Sequence, residues 1–377
     1  MSDGKRGIIA NVRRLNDFMD RHGCSAIVAR SGTNFTYLTG VAFPGTQSRH
    51  VDFPDSPREI YVVWPRQGEP VMVLNNLGIA RAWRDSWIPN IEGYDDYRTT
   101  AFARTAEVIE RLGLTKSKIG FEKTYLSASH WEEFHRLLPD VEMFDCTELM
   151  DAVRWVKTPG EVDLLRRAAD IQDDAYVEVF SNVGEGYTLR EVHAQLVKAC
   201  MARGAEIVHG LLNTSRNNVR YLGEGDTLLE KGDIVRTDYV SYLQGYPGHQ
   251  SRVFVVGPPS EEQVEVYRKY REVHLMTIDR CRPGIRANDL FFFADQKLRE
   301  YGFNGAGSMV GHSVGPWFHQ QQPLLVADCP TQIEEGMVVA VEPFSTYWHL
   351  QDMILVTGGE PELLTGKFDT ERLFVID

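Results

Sequence analysis

Apolar residues first recur at helical spacing, with Ile8, Val12, Leu15 and Met19 on one face of a predicted helix. The pattern then shortens. CSAIVAR (24–30) reads as an apolar strand, and IYVVWP (60–65) and PVMVLN (70–75) read as neighbouring strands joined by a turn containing Gly68. Two more apolar runs, IGFE and VEMF, flank a helical stretch around Trp131 to Leu138. Alternating helix and strand predicts an α/β domain over residues 1–151. A second domain, 152–377, opens at Thr158-Pro159-Gly160-Glu161, a capping box with proline at the first helical position. It leads into a long helix with Val162, Leu165 and Ala169 on one face.

The second domain repeats itself. Glu230-Lys231-Gly232-Asp233-Ile234-Val235-Arg236-Thr237-Asp238 aligns with Glu334-Glu335-Gly336-Met337-Val338-Val339-Ala340-Val341-Glu342 at a constant offset of 104. Both join an acidic residue, a turn glycine and a strand-like apolar run to a terminal carboxylate. Upstream, Gly186-Tyr187-Thr188-Leu189 aligns with Gly284-Ile285-Arg286-Ala287 at offset 98, and Gly204 with Gly302 after a helical segment of equal length. The order helix then strand, twice, predicts an α+β domain with an internal pseudo-two-fold repeat. Asp238 and Glu342 are then expected on facing strands of a single sheet, where paired carboxylates hold a metal or move protons.

Composition narrows the setting. Hydrophobic content of 43% and charged content of 25% are those of a globular protein. A net charge of −13 argues against nucleic acid or an anionic membrane as main partner. Five cysteines without CxxC spacing fit reduced thiols, and the start of the chain has no apolar signal core. A cytoplasmic enzyme or binding protein is expected.

Candidate chemistry clusters in the second domain. His249 follows Asp238 on what should be the returning strand of a hairpin. Gly311-His312-Ser313-Val314-Gly315 places a histidine between glycines, and His319 follows seven residues later. Glu342 precedes Pro343, and Gln351 opens the last strand, Gln351 to Val356. Singly, each residue reads as an ordinary interior histidine or strand end. The repeat is what draws Asp238, His249, His312, Glu342 and Gln351 into one site. In the first domain, the irregular 41–57 segment is too long for a simple connection and is expected to be functional or to cover a partner.

These segments resemble the pita-bread fold shared by methionine aminopeptidase, aminopeptidase P, prolidase and creatinase. Asn34-Phe35-Thr36-Tyr37-Leu38-Thr39-Gly40 is similar to a motif of the family's N-terminal domain. Arg154 to Glu161 resembles the interdomain linker, and GHSVG, EEGMVVAVEP and LQDMILVT resemble the site strands. The resemblance implies an α/β N-terminal domain, a pita-bread C-terminal domain and a homodimer in which the partner's 41–57 loop closes the active-site mouth. In the peptidases of the family, two aspartates, a histidine and two glutamates hold two metal ions. Asp238, His312 and Glu342 match, but the second aspartate is His249, eleven positions after Asp238, and the final glutamate is Gln351. Two bridging carboxylates have become neutral groups, and two dications brought together without them repel strongly. A dinuclear centre is not expected. The resemblance leaves no metal, or one zinc, iron or manganese ion among Asp238, His249, His312 and Glu342.

A metal-free precedent within the family is creatinase, whose site loop is similar to Gly311 to Gly315. The histidine expected before the Gly-Asp turn is replaced here by Arg220 or Tyr221. Arg220, with Arg252, is a candidate clamp for a substrate carboxylate. His209 is a candidate for the missing base. The expectation is a creatinase-like hydrolase of an amide, amidine or guanidino C–N bond in a small carboxylate-bearing metabolite. His249, His312, His319 and Glu342 would do the acid–base work, and Arg220, Tyr221, Arg252, His209 and Gln351 would bind substrate. The alternatives are a lyase on a similar substrate, an Xaa-Pro metallopeptidase with a mononuclear site, and a non-catalytic binding module.

Overall fold

The structure is a computed structural model that describes residues 7–42, 59–217, 225–345 and 347–377. It divides into two compact units, Met1–Arg154 and Trp155–Asp377.

In the first unit a sheet runs in the order β4-β3-β2-β1-β5-β6. Its strands are β1 (Ala26–Arg30), β2 (Tyr61–Pro65), β3 (Val71–Asn75), β4 (Asn90–Tyr94), β5 (Lys118–Phe121) and β6 (Glu142–Asp145). The helices are α1 (Val12–His22), α2 (Thr33–Thr39), α3 (Ile79–Asp85), α4 (Ala101–Arg111), α5 (Ala128–Leu137) and α6 (Thr147–Trp155). β1, β2 and β3 are buried at every position because both faces are covered. Alternate residues feed opposite cores: Ile27, Val62 and Met72 enter one, Val28, Val63 and Val73 the other. The first helix is shorter than its apolar pattern suggests. Asn11 caps it, Leu15 and Met19 are buried, and Ile8 lies outside it at 52% exposure. The Asn34 to Gly40 motif forms α2, closed by Gly40 at φ 71°.

The second unit begins with α7 (Pro159–Phe180), whose capping box is formed by Thr158 and Glu161. Its two halves then run in parallel. The first contains α8 (Leu189–Ala202), β7 (Ile207–Thr214), β8 (Ile234–Leu243), β9 (Tyr246–Gln250) and β10 (Val253–Val256). The second contains α9 (Glu261–Arg280), α10 (Ala287–Glu300), β11 (Gly311–Gly315), β12 (Phe318–Leu324), β13 (Val338–Val341) and β14 (Asp352–Leu355), followed by β15 (Glu362–Leu363) and β16 (Phe374–Ile376). Helices α8 and α10 begin and end 98 residues apart. The turn glycines Gly232 and Gly336 share the left-handed conformation at φ 89° and 86°, which favours glycine. Packing repeats as well: Val192 and Leu196 share a core with Val235, as Leu290 and Ala294 do with Val339.

One expectation needs correction. The halves do not form a single ladder. Strand orders are β16-β10-β8-β7, with β9 on β8, and β12-β11-β13-β14-β15. They are linked by an isolated bridge between Ser251 and Gln351. The site lies where the two sheets meet.

Candidate active site

Strand alternation along β8 brings Arg236, Asp238 and Val240 to the wall of a cavity of about 390 Å³. On β7 the register sets Asn213 opposite Arg236, Leu211 opposite Asp238 and His209 opposite Val240. His209 and Leu211 line the same cavity. A two-residue turn, Gln244-Gly245, has positive φ at both positions and returns the chain as β9, with His249 paired to Val240. On the far side of β9, Gly248 meets helix α7 so closely that a Cβ would sit 2.1 Å from the Ala168 carbonyl oxygen. Only glycine allows this approach, and alternation turns His249 toward the cavity.

His249 is held at both nitrogens. Its Nε2 is 3.0 Å from Asp238 Oδ1, and its Nδ1 is 2.9 Å from Gln351 Nε2. The Ser251 hydroxyl donates to Gln351 Oε1 at 3.2 Å, which orients the amide with its NH₂ toward His249. This network assigns the neutral tautomer: Gln351 donates to Nδ1, and Nε2–H donates to Asp238. Burial lowers the His249 pKa and keeps the ring neutral. For Asp238, burial alone would raise the pKa, but the His249 hydrogen bond and neighbouring imidazoles hold it well below the usual carboxylate range.

The second half of the repeat is arranged differently. Glu342 sits between two imidazoles, with His349 Nε2 2.9 Å from Oε2 and His312 Nε2 3.2 Å from Oε1. His312 Nδ1–H donates to the Ser313 carbonyl at 3.0 Å, leaving an Nε2 lone pair facing the carboxylate. Among the described residues, His312 Nε2, Glu342 Oε1 and His349 Nδ1 are buried without a hydrogen-bond partner. Burial opposes ionisation of Glu342, yet His312 and His349 bring its pKa down to about 2. His319 lines the cavity 3.2 Å from the Tyr242 hydroxyl, and burial, reinforced by the other histidines, pushes its pKa down to about 2.

The structure thus brings Asp238, His249, His312, His319, Glu342 and Gln351 together, with His209 at the cavity rim. His312 and Gln351 do not line the cavity; they act on it through Glu342 and His249. Arg252 is not a substrate ligand. It is fully buried, with Nη2 2.9 Å from Asp352 Oδ1 and Nη1 donating to the Gln351 carbonyl at 2.7 Å. A long cation so enclosed satisfies internal acceptors and cannot meet a substrate. Arg220 and Tyr221 lie outside the described residues, as does the 41–57 loop from residue 43 onward. Two cavity residues escaped the sequence reading. His349 stands two before Gln351 on an irregular connection, outside any strand; Arg236 stands two before Asp238 on β8.

The donor set does not fit two metal ions. Both ring nitrogens of His249 are engaged, Gln351 is neutral, and its oxygen accepts from Ser251. The unpartnered His312 Nε2 and Glu342 Oε1 make two donors, and among the described residues no three His, Cys, Asp or Glu side chains are grouped to hold an ion.

Comparison with known proteins agrees with this architecture. The model described as "Creatinase/Prolidase N-terminal domain" matches residues 11–156, and "Metallopeptidase family M24" matches 163–358. An Xaa-Pro dipeptidase of Pyrococcus horikoshii is 25% identical over 376 residues, covering 96% of this chain and 97% of the relative. A creatinase of Bacillus sp. (strain B-0618) is 24% identical over 362 residues, covering 92% and 83%. The crystal structure of an X-Pro aminopeptidase from Thermotoga maritima matches with TM-score 0.80 at 19% identity, over 97% of this chain and 99% of that one. With matching family models over both units, and the repeated half-domains carrying Asp238 and Glu342 at equivalent places, the chain belongs to metallopeptidase family M24 and carries a creatinase/prolidase N-terminal domain.

Proposed function

We propose that the chain hydrolyses a C–N bond in a small molecule bearing a free carboxylate, using Glu342 and its flanking histidines for proton transfer. The observation that carries this reading is the trio His312–Glu342–His349. Two acceptors, His312 Nε2 and Glu342 Oε1, approach to 3.2 Å while buried, an arrangement that a proton between them relieves. On the other side Glu342 orients His349, whose Nδ1 has no partner among the described residues. A base oriented by a carboxylate, beside a second group holding a proton, is the arrangement acid–base hydrolysis needs. Water gives a proton to His349 as its oxygen adds to the carbon. The leaving nitrogen takes a proton from the His312–Glu342 pair as the C–N bond breaks. Asp238 and neutral His249 shape the opposite wall.

The names of the relatives favour a second, more specific reading, that the substrate is an Xaa-Pro dipeptide. Kinship supports this substrate better than a creatine-like one. Both compounds carry a carboxylate beside a C–N bond, so the acid–base proposal covers either; what departs from a two-metal peptidase is the machinery. Turnover of Xaa-Pro dipeptides and guanidino acids, before and after chelation, separates these readings. Hydrolysis that survives chelation and is lost in Glu342→Gln supports the proposal. Dipeptide hydrolysis that requires two ions per chain overturns it.

A further inference from the structure

We propose that Arg236 binds the substrate's carboxylate, with Asn213 and Phe344 holding its guanidinium in place, so that the cavity selects small anions. The inference rests on the hydrolase reading above and names the residue that sets its substrate class.

Arg236 lies two residues before Asp238 on β8, so the two side chains face the same cavity. Consecutive same-face positions on a strand are separated by about 7 Å, the length of a small metabolite. A carboxylate at Arg236 therefore places the rest of such a molecule alongside Asp238. The guanidinium is pre-organised. Nη2 donates to Asn213 Oδ1 at 3.1 Å across the β7–β8 ladder, where the two residues are direct register partners. The Phe344 ring, itself part of the cavity wall, lies 5.7 Å from Cζ. Arg236 is only 5% exposed, so its permanent charge acts where water screens little.

Electrostatics orient the substrate. Asp238 and Glu342 repel an anion while Arg236 attracts it, so the anionic group of a substrate settles at the guanidinium. A neutral molecule has no such preference, and a cationic one has the opposite preference. The rival role for Arg236 is to balance the charge of Asp238 and Glu342. In that case its loss lowers kcat for every substrate alike.

The test compares the dipeptide Ala-Pro with its C-terminal amide, using the full chain and the variants Arg236→Met, Arg236→Lys and Arg220→Met. Arg236→Met is expected to raise KM for the free acid about 30-fold, the scale of one charge-assisted contact, with kcat little changed and the amide unaffected. Arg236→Lys should fall between. Equal losses on acid and amide, a loss confined to kcat, or discrimination that disappears only in Arg220→Met overturns the proposal. Should Arg236→Met not fold, Asn213→Ala keeps the charge but frees the guanidinium, and must show the same acid-specific rise in KM. If the wild-type chain cleaves neither compound, the hydrolase reading fails on that substrate, and calorimetric binding of L-proline and sarcosine decides the anchor independently. Binding that depends on Arg236 and survives Glu342→Gln supports it; binding indifferent to Arg236 overturns it.

Discussion

The two halves of the second unit share a scaffold and differ in chemistry. In the first, Asp238 and His249 form a closed network in which Gln351 and Ser251 satisfy the remaining nitrogen. In the second, Glu342 and its two imidazoles leave three buried polar atoms without partners among the described residues. Buried polar groups are normally satisfied, and the exceptions cluster where function requires them. The repeat thus carries two equivalent strand ends, one closed by its own hydrogen bonds and one that, on the proposed function, reacts.

The largest effect is expected where the halves are tied together. Arg252 comes from the first half and binds Asp352 and the Gln351 and Thr365 carbonyls of the second. Arg252→Met leaves buried Asp352 and Asp173 without their cation and should cost about 3–5 kcal/mol, read as a large fall in the denaturation midpoint. A near-normal midpoint would mean the halves are joined by other contacts. Next comes turnover. Glu342→Gln and His349→Gln should each lower kcat about 100-fold or more, whereas His249→Asn should lower it about tenfold, since His249 shapes the wall without supplying a free nitrogen. Equal losses in all three variants would erase the distinction between a still half and a reactive one.

Near neutral pH the smallest effect is on pH dependence, read as a slope. His319 titrates near 6.5 when unfolded and near 2 when folded, so the unfolded chain binds the extra proton throughout that window. Stability should fall as pH drops below 6.5, and His319→Gln should flatten the slope by up to about 1.4 kcal/mol per pH unit. Glu342 adds the same sign as pH falls from 4.5 towards about 2. A midpoint for unfolding that is flat between pH 7 and 5 in the wild-type chain would show that His319 is solvated.

Much of this was legible in the sequence because it rests on short-range rules. Gly232 and Gly336 announced equivalent turns, the Thr158 capping box marked the start of α7, and the spacing of Asp238, His249, His312, Glu342 and Gln351 indicated one site. What was not legible depends on who sits across a sheet. Arg252 and Arg236 are both arginines on strands near the site, yet one is enclosed by Asp352 and carbonyls and the other lines the cavity; their flanking residues do not tell them apart. His349 went unseen because its partner, Glu342, lies across an irregular connection whose course no local pattern predicts.

The central claim, that Glu342 and its histidines act without a two-metal centre, is tested most directly by measuring bound metal and turnover on the same preparation during stepwise chelation. The account predicts at most one ion per chain and turnover that does not follow the metal content. Two ions per chain, with turnover falling in proportion as they are removed and returning when they are restored, would contradict it.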